Sequence, residues 1–130
     1  TMDIHNMPFD DDNFDIIICN HVLEHVEDDI LALKEIRRVL KKKGYAIIMI
    51  PFYYPIPKIT LEDDSIKNPS EREKIFGQSD HLRKYGEDFK KRFELSGMGV
   101  EIIRPVDILS SINMSKYGIK NSDIIISVIK

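Results

Sequence analysis

The chain has 130 residues with 19 basic and 22 acidic side chains, and a chain of this length forms one domain, residues 1–130, that buries roughly two thirds of its unfolded surface. The near balance of charge favours neither nucleic acid nor an anionic membrane as a partner, and no apolar run reaches the roughly 18 residues of a membrane-spanning helix. The single cysteine, Cys19, excludes an internal disulfide and, without a secretory pattern at the amino terminus, predicts a cytoplasmic protein.

The first predicted elements are a strand and an amphipathic helix. Phe14 to Asn20 is a short β-branched run, which is typical of a strand buried on both faces. From Asp28 onward, apolar residues recur every three or four positions, and Asp28 or Asp29 suits the N-cap of a helix. Lys41 to Lys43 then predict a basic last turn, and Gly44 predicts the left-handed cap.

A second β-branched run, Tyr45 to Ile50, predicts the next strand, which Pro51 ends. Residues 52–85 are predicted to be irregular because they are rich in proline and polar residues, with a short helix near Glu71 to Ile75. Long irregular segments inside compact domains are usually functional or mobile. The later predicted elements are a helix at Asp88 to Ser96 stopped by Gly97, a strand at Val100 to Pro105, a short helix within Leu109 to Tyr117, and a strand at Ile124 to Ile129.

These elements carry a series of short motifs in a fixed order. The motifs are Met7-Pro8-Phe9, an acidic loop, Phe14-Asp15, Leu23-Glu24-His25, Arg38-Val39-Leu40, Gly44, and Asp80-His81-Leu82-Arg83-Lys84-Tyr85-Gly86. The series resembles the class I S-adenosylmethionine-dependent methyltransferases of the type 11 kind. The resemblance implies an α/β fold with a partial Rossmann-like sheet, mostly parallel, whose last strand is antiparallel and inserted between its neighbours. It also implies methyl transfer to a small-molecule acceptor, with residues 52–85 on the substrate side.

One part of the family pattern is not found in this sequence. There is no Gly-x-Gly-x-Gly loop after an amino-terminal strand, and no acidic residue after a second strand to hold a ribose. The resemblance therefore implies the carboxyl-terminal half of a methyltransferase, an inactive fragment that binds S-adenosylmethionine weakly or not at all. The alternative is a noncatalytic remnant or association module. In either case the Phe14 to Asn20 strand becomes a sheet edge, which predicts a homo-oligomer formed through that edge.

Five residues are candidates for the cofactor side. By the resemblance, the carboxylate of Asp3 accepts a hydrogen bond from the adenine amino group and the backbone of Ile4 contacts the ring, because adenine presents a donor beside an acceptor. Cys19, Asn20 and His21 follow at the carboxyl end of the first strand, where ligands lie in open α/β sheets. Asp3 is equally well explained as a solvated aspartate, and Cys19 is better explained as a small buried side chain.

His21 and His25 have a second interpretation. His21-Val22-Leu23-Glu24-His25 matches His-x-x-Glu-His, a zinc-protease signature that requires a sustained helix. Here the motif begins directly after a strand, so we predict no metal site. His25 is then either a substrate-side residue or a histidine bonded to the backbone. Asp10 to Asp12 are interpreted as a solvated turn because they lack the spacing of a calcium loop.

The motif that begins at Asp80 supplies the other substrate-side candidates, which are His81, Arg83 and Tyr85. An arginine and a histidine together can receive an anionic group of a substrate. The same side chains can instead anchor the preceding segment by hydrogen bonds to carbonyl groups, and anchoring is slightly favoured.

Overall fold

The computed structural model describes residues 2–120 and 123–130. Its elements in chain order are β1 (Phe14–Asn20), α1 (Asp29–Val39), β2 (Leu40–Met49), β3 (Leu61–Glu62), α2 (Pro69–Phe76), β4 (Arg83–Lys84), α3 (Phe89–Glu94), β5 (Gly99–Ile103), α4 (Pro105–Ile108), α5 (Ser111–Lys116) and β6 (Ile125–Ile129). Four strands form one sheet in the order β1-β2-β6-β5, and β3 pairs with β4. No helix in the described ranges is long and apolar enough to cross a membrane.

The sheet topology follows from one crossover and one inserted strand. β1 and β2 are parallel because α1 crosses between them, whereas β6 is antiparallel to both β2 and β5. The predicted insertion of an antiparallel last strand between its neighbours is therefore confirmed. The ends of β1 and β2 that carry Asn20 and Met49 meet at one edge of the sheet.

Helix α1 begins as the sequence predicts. The Asp28 side chain accepts a hydrogen bond from the backbone N–H of Leu31 at 2.8 Å, which satisfies a donor in the first turn. The apolar stripe packs into the core through Ala32, Leu33, Ile36 and Val39, none of which is more than 1% exposed. Burying each large side chain of that stripe contributes about 1.5 to 3 kcal/mol.

The end of α1 differs from the prediction. Lys41 to Lys43 lie in β2, and the left-handed residue is Lys43, with φ of 66°, rather than Gly44. The cation that satisfies the terminal carbonyl groups is Lys130, whose Nζ donates to the carbonyl oxygens of Arg38 at 3.1 Å and Leu40 at 2.7 Å. A residue far along the chain thus does what the three lysines were predicted to do.

Strand β1 has one unpaired edge among the described residues. Ile16 is 49% exposed and Ile18 is 67% exposed, and these two side chains share a face because side chains alternate along a strand. Ile17 instead packs against the core, so the three isoleucines are not equally open as expected.

The segment at 52–85 contains more regular structure than predicted. The helix expected near residue 71 is present as α2, which Asn68 caps and which Gly77 ends with φ of 100°. β3 and β4 form a short antiparallel pair across the segment. Side chains at the end of the segment are among the most buried of the described residues, with Tyr85 fully buried.

The last predicted elements are also present. In α3 the side chains of Phe89 and Phe93 are buried on one face, and Gly97 follows with φ of 83°. Helix α5 lies within Leu109 to Tyr117, where a short helix was predicted, and α4 is an additional short helix just before that region. Helix α3 packs against β5, and α4 packs against α5.

Candidate functional site

A cleft of about 470 Å³ lies beyond the carboxyl ends of β1 and β2. Its walls combine apolar, aromatic and charged side chains, namely His21, Met49, Ile50, Pro51, Phe52, Tyr54, Lys120, Asp123 and Ile124. This is the position at which open α/β sheets bind ligands, because the loops that follow neighbouring strands meet there.

His21 lines this cleft and also contacts the buried residue Glu24. Its backbone is left-handed, with φ of 52°, and its N–H donates to the carbonyl oxygen of Met49 at 2.9 Å, which joins the ends of the two strands. Its Nδ1 lies 3.2 Å from Oε1 of Glu24. A non-glycine residue in this conformation costs about 1 to 3 kcal/mol and is often found at functional sites.

Behind His21 lies a group that we call the His25 cluster, formed by Glu24, His25, His81 and Asp80. One ligand atom from each of Glu24, His25 and His81 lies within 4.8 Å of the other two. Nε2 of His25 lies 3.9 Å from Oε1 of Glu24, and Nδ1 of His25 lies 3.3 Å from Oδ2 of Asp80. The rings of His25 and His81 meet edge to face, with centroids 4.8 Å apart.

The His25 cluster does not supply a hydrogen-bond partner for every buried polar atom that it contains. Glu24 is 1% exposed, and its Oε2 is the buried side-chain oxygen or nitrogen that lacks a hydrogen-bond partner in the described ranges. Leaving such an atom unpaired costs about 1 to 3 kcal/mol, and more for a charged group. Burial lowers the pKa of His81, so its imidazole tends to be neutral and cannot compensate the Glu24 charge.

A second group, which we call the Asp29 cluster, contains Asp29, Tyr85, Arg92, Glu62 and Arg83. The buried carboxylate of Asp29 accepts hydrogen bonds from Tyr85 at 2.9 Å and from Arg92 at 2.9 and 2.7 Å. Burial alone would raise the pKa of Asp29, but the bonds from Arg92 and the charges of both arginines lower it below its usual value. This cluster is paired throughout and joins the start of α1 to β3, β4 and α3.

Arg83 is an anchor of the turn that follows β1. Its guanidinium donates to the carbonyl oxygens of Leu23, Val26 and Glu27. These donors are therefore engaged with backbone carbonyl groups, but the carbonyl groups belong to the turn after β1 and not to the preceding segment that the anchoring alternative named. Likewise the hydroxyl of Tyr85 is directed at Asp29 and is fully buried.

The other candidates for the cofactor side lie away from the cleft lining. Asp3 is exposed, and its carboxylate accepts hydrogen bonds from the backbone and ring of His5, while Ile4 packs against the core. Cys19 is 5% exposed, and burial together with the charge of Glu24 raises the pKa of its thiol to about 11. Asn20 is exposed at the end of β1. Of the five candidates, His21 is the one that lines the cleft.

Residues 21–28 form turns rather than the sustained helix that the zinc-protease signature requires. The local pattern therefore misses what the fold assembles, because His81 joins Glu24 and His25 from 56 residues along the chain. The sequence signal that could have indicated this grouping is the presence of two histidine-containing motifs, at residues 21–25 and 80–86.

Comparison with known proteins agrees with this geometry. A family model described as a methyltransferase domain, type 11, matches residues 1–48. Over 45 residues the chain is 49% identical to an uncharacterized protein of Methanocaldococcus jannaschii, and over 50 residues it is 40% identical to the uncharacterized methyltransferase YcgJ of Bacillus subtilis. These stretches cover 35% and 38% of this chain but only 20% and 19% of the two relatives. The resemblance to type 11 methyltransferases indicated by the motifs is confirmed.

Solved structures extend the likeness to almost the whole chain. The crystal structure of YcgJ from Bacillus subtilis has a TM-score of 0.59 at 21% identity and covers 98% of this chain and 68% of its own. An S-adenosylmethionine-dependent methyltransferase from Mesorhizobium loti has a TM-score of 0.60 at 14% identity and covers 98% of this chain and 67% of its own. At these identities the likeness shows the fold. The chain has the Rossmann-like fold of methyltransferases, as predicted.

Proposed function

We propose that this fold serves S-adenosylmethionine-dependent methyl transfer to a small-molecule acceptor, in a protein form that also contains the glycine-rich cofactor loop. The observation that supports the proposal most directly is the cleft at the carboxyl ends of β1 and β2, in a fold shared with methyltransferases. A cytoplasmic location fits it, because the single cysteine is buried and free.

The chemistry of the cleft is compatible with such a reaction. Methyl transfer from a sulfonium is an in-line displacement, so positioning and exclusion of water supply much of the acceleration. Phe52 and Ile50 contribute apolar surface to the cleft, while His21 and Tyr54 contribute polar atoms that could orient an acceptor. A dedicated catalytic base is therefore not required of this chain.

A calorimetric titration with S-adenosylhomocysteine tests the cofactor part of the proposal. Because the Gly-x-Gly-x-Gly loop is not in this sequence, we expect this chain to bind with a Kd weaker than about 1 mM, which corresponds to about −4 kcal/mol. Micromolar binding by this chain would contradict its assignment as an inactive fragment.

A transfer assay tests the role of the cleft. In a longer form that includes the glycine-rich loop, Tyr54→Ala should lower the transfer of labelled methyl groups to acceptors, because Tyr54 lines the cleft and is 63% exposed. Tyr117→Ala is the matched control, since Tyr117 is 66% exposed but does not line the cleft. Equal activities of the two variants would contradict the assignment of the cleft.

The exposed edge of β1 favours a second candidate function, association of the chain with a copy of itself. Ile16 and Ile18 present an apolar face beside unpaired backbone groups, and burying one such side chain contributes about 1.5 to 3 kcal/mol. In this alternative the chain is a noncatalytic association module.

Sedimentation velocity at increasing concentration tests this second candidate. Ile18→Lys should shift the chain toward monomer, because a charge on the edge opposes strand pairing. Ile17 is unsuitable for this test, since it packs against the core. Ile112→Lys is the control, because Ile112 is 78% exposed on α5. A monomer at all concentrations before any substitution would contradict association.

A further inference from the structure

We propose that Glu24, His25 and His81 bind a divalent transition-metal ion of the zinc class next to the cleft. The proposal goes beyond methyl transfer and does not depend on it. The three ligand atoms converge within 4.8 Å, and the carboxylate among them is 99% buried with one oxygen unpaired. The unpaired oxygen is an observation separate from the grouping of the residues.

Each of the two histidines has its Nδ1 beside an oxygen that can only accept. Nδ1 of His81 lies 3.3 Å from the carbonyl oxygen of Phe76, and Nδ1 of His25 lies 3.3 Å from the carboxylate of Asp80. The hydrogen bond to the carbonyl oxygen of Phe76 holds a proton on Nδ1 of His81 and leaves Nε2 as its ligand atom. For His25, Nε2 is the nitrogen that lies 3.9 Å from Oε1 of Glu24.

The buried carboxylate of Glu24 therefore lies beside two imidazole rings and still has one oxygen without a partner. A cation held between these groups would compensate the carboxylate in a place where water cannot. His21 supplies one hydrogen bond to Oε1 of Glu24 but leaves Oε2 unpaired. A divalent ion would pair with the Glu24 carboxylate and bind one nitrogen of each imidazole at once.

The donor set selects the class of ion. Two imidazoles and one carboxylate suit zinc and related transition metals, whereas magnesium and calcium prefer oxygen ligands alone. Histidines that bind metals usually donate their other ring N–H to a carboxylate or a backbone carbonyl, which is what Asp80 and Phe76 provide here. Three protein ligands also leave a coordination position open, as in catalytic zinc sites.

The geometry requires a small closure of the site. Neighbouring ligand atoms around a tetrahedral zinc ion stand roughly 3.3 Å apart, because each bond is about 2.0 to 2.1 Å long. The observed separations of up to 4.8 Å must therefore shorten when an ion binds, by movement of the His25 side chain. His25 has room for this movement, since its side chain is 33% exposed.

This site differs from the protease signature in the same residues. There, the two histidines of one helix bind the ion and the glutamate acts on water. Here, Glu24 is itself a ligand and the second imidazole comes from His81, while His21 lies outside the group of converging atoms. The proposed site therefore binds metal without implying hydrolysis.

Calorimetric titration of the chelator-treated chain with zinc chloride tests the proposal, with cobalt(II) absorption as a second readout of coordination. We expect one ion per chain with a micromolar or tighter Kd, and no competition from millimolar magnesium. Glu24→Gln and His25→Asn should each weaken binding at least about 100-fold, because they remove a ligand rather than an outer partner.

Asp80→Asn keeps the test decisive if a buried substitution impairs folding. Asp80 is 69% exposed, and its loss should weaken zinc binding about 10- to 100-fold through the orientation of His25. His5→Asn and Asp10→Asn are the matched controls and should leave the Kd unchanged, because neither residue belongs to the converging group. Circular dichroism confirms that each variant is folded.

Two results would overturn the proposal. One is the absence of saturable zinc binding by the folded chain. The other is binding that folded Glu24→Gln, His25→Asn and Asp80→Asn variants all leave unchanged, since the ion would then lie elsewhere. NMR gives a further readout of the same site. Resonances of His25 and His81 that do not shift when zinc is added would also contradict the proposal, because neither ring would then be binding the ion.

Discussion

The Asp29 cluster and the His25 cluster both connect the region after β1 to residues 80–92, but they differ in how their charges are paired. Each cluster contains a carboxylate that is 1% exposed. Asp29 accepts three hydrogen bonds from neighbours that include a guanidinium. Glu24 has one oxygen bonded to His21 and one oxygen unpaired.

The difference separates a structural cluster from one suited to a ligand. A buried charge is tolerated when its partners are already in place, and an incompletely paired charge is retained at a cost. In the Asp29 cluster the partners come from α1, α3, β3 and β4, so the cluster holds these elements together. In the His25 cluster the missing partner is the cation that we propose, and His21, which lines the cleft, contacts Glu24.

Removing the carboxylate of the paired cluster should have the largest effect. Asp29→Ala leaves Arg92 and Arg83 without their buried partner, and breaking such a pair costs about 3 to 5 kcal/mol in the free energy of unfolding. Urea denaturation followed by circular dichroism measures the loss. The control is Asp15→Ala, whose exposed ion pair with Lys41 contributes about 0 to 1 kcal/mol. Equal losses in the two variants would show that the Asp29 cluster is not structural.

Acid should weaken the same cluster in a defined range of pH. The bonds and charges of the arginines lower the pKa of folded Asp29, so its stabilisation is present above the ordinary pKa of an aspartate and is lost as pH falls through the folded pKa. The difference in unfolding free energy between this chain and Asp29→Asn should be constant above about pH 5 and shrink below about pH 4. Asp10→Asn is the control, because the exposed Asp10 forms no ion pair in residues 2–120 and 123–130. A difference that stays constant to pH 2 would contradict the lowered pKa.

The two clusters also differ in how far the sequence predicts them. Local patterns predict β1 and the Asp28 cap of α1, because neighbouring residues determine them, whereas the insertion of β6 into the sheet was implied by the resemblance to methyltransferases. The end of α1 is predicted wrongly because its carbonyl groups are satisfied by Lys130, which no local pattern connects to them. The grouping of His81 with Glu24 depends on packing between distant segments in the same way. Sequence motifs indicate that these residues matter, and the fold indicates which of them meet.

The smallest effect should come from a matched pair of conservative substitutions, one in each cluster, in the chelator-treated chain. Tyr85→Phe removes one donor from the paired carboxylate of Asp29, which keeps its bonds to Arg92, so the free energy of unfolding should fall by about 1.5 kcal/mol. Glu24→Gln replaces the incompletely paired carboxylate by a neutral amide whose oxygen can still accept from His21. It should therefore leave stability unchanged or raise it by up to about 1 kcal/mol, because the buried charge is removed. Urea denaturation of both variants measures the two changes. A loss in Glu24→Gln as large as in Tyr85→Phe would mean that Glu24 is already paired, and the contrast between the clusters would then disappear.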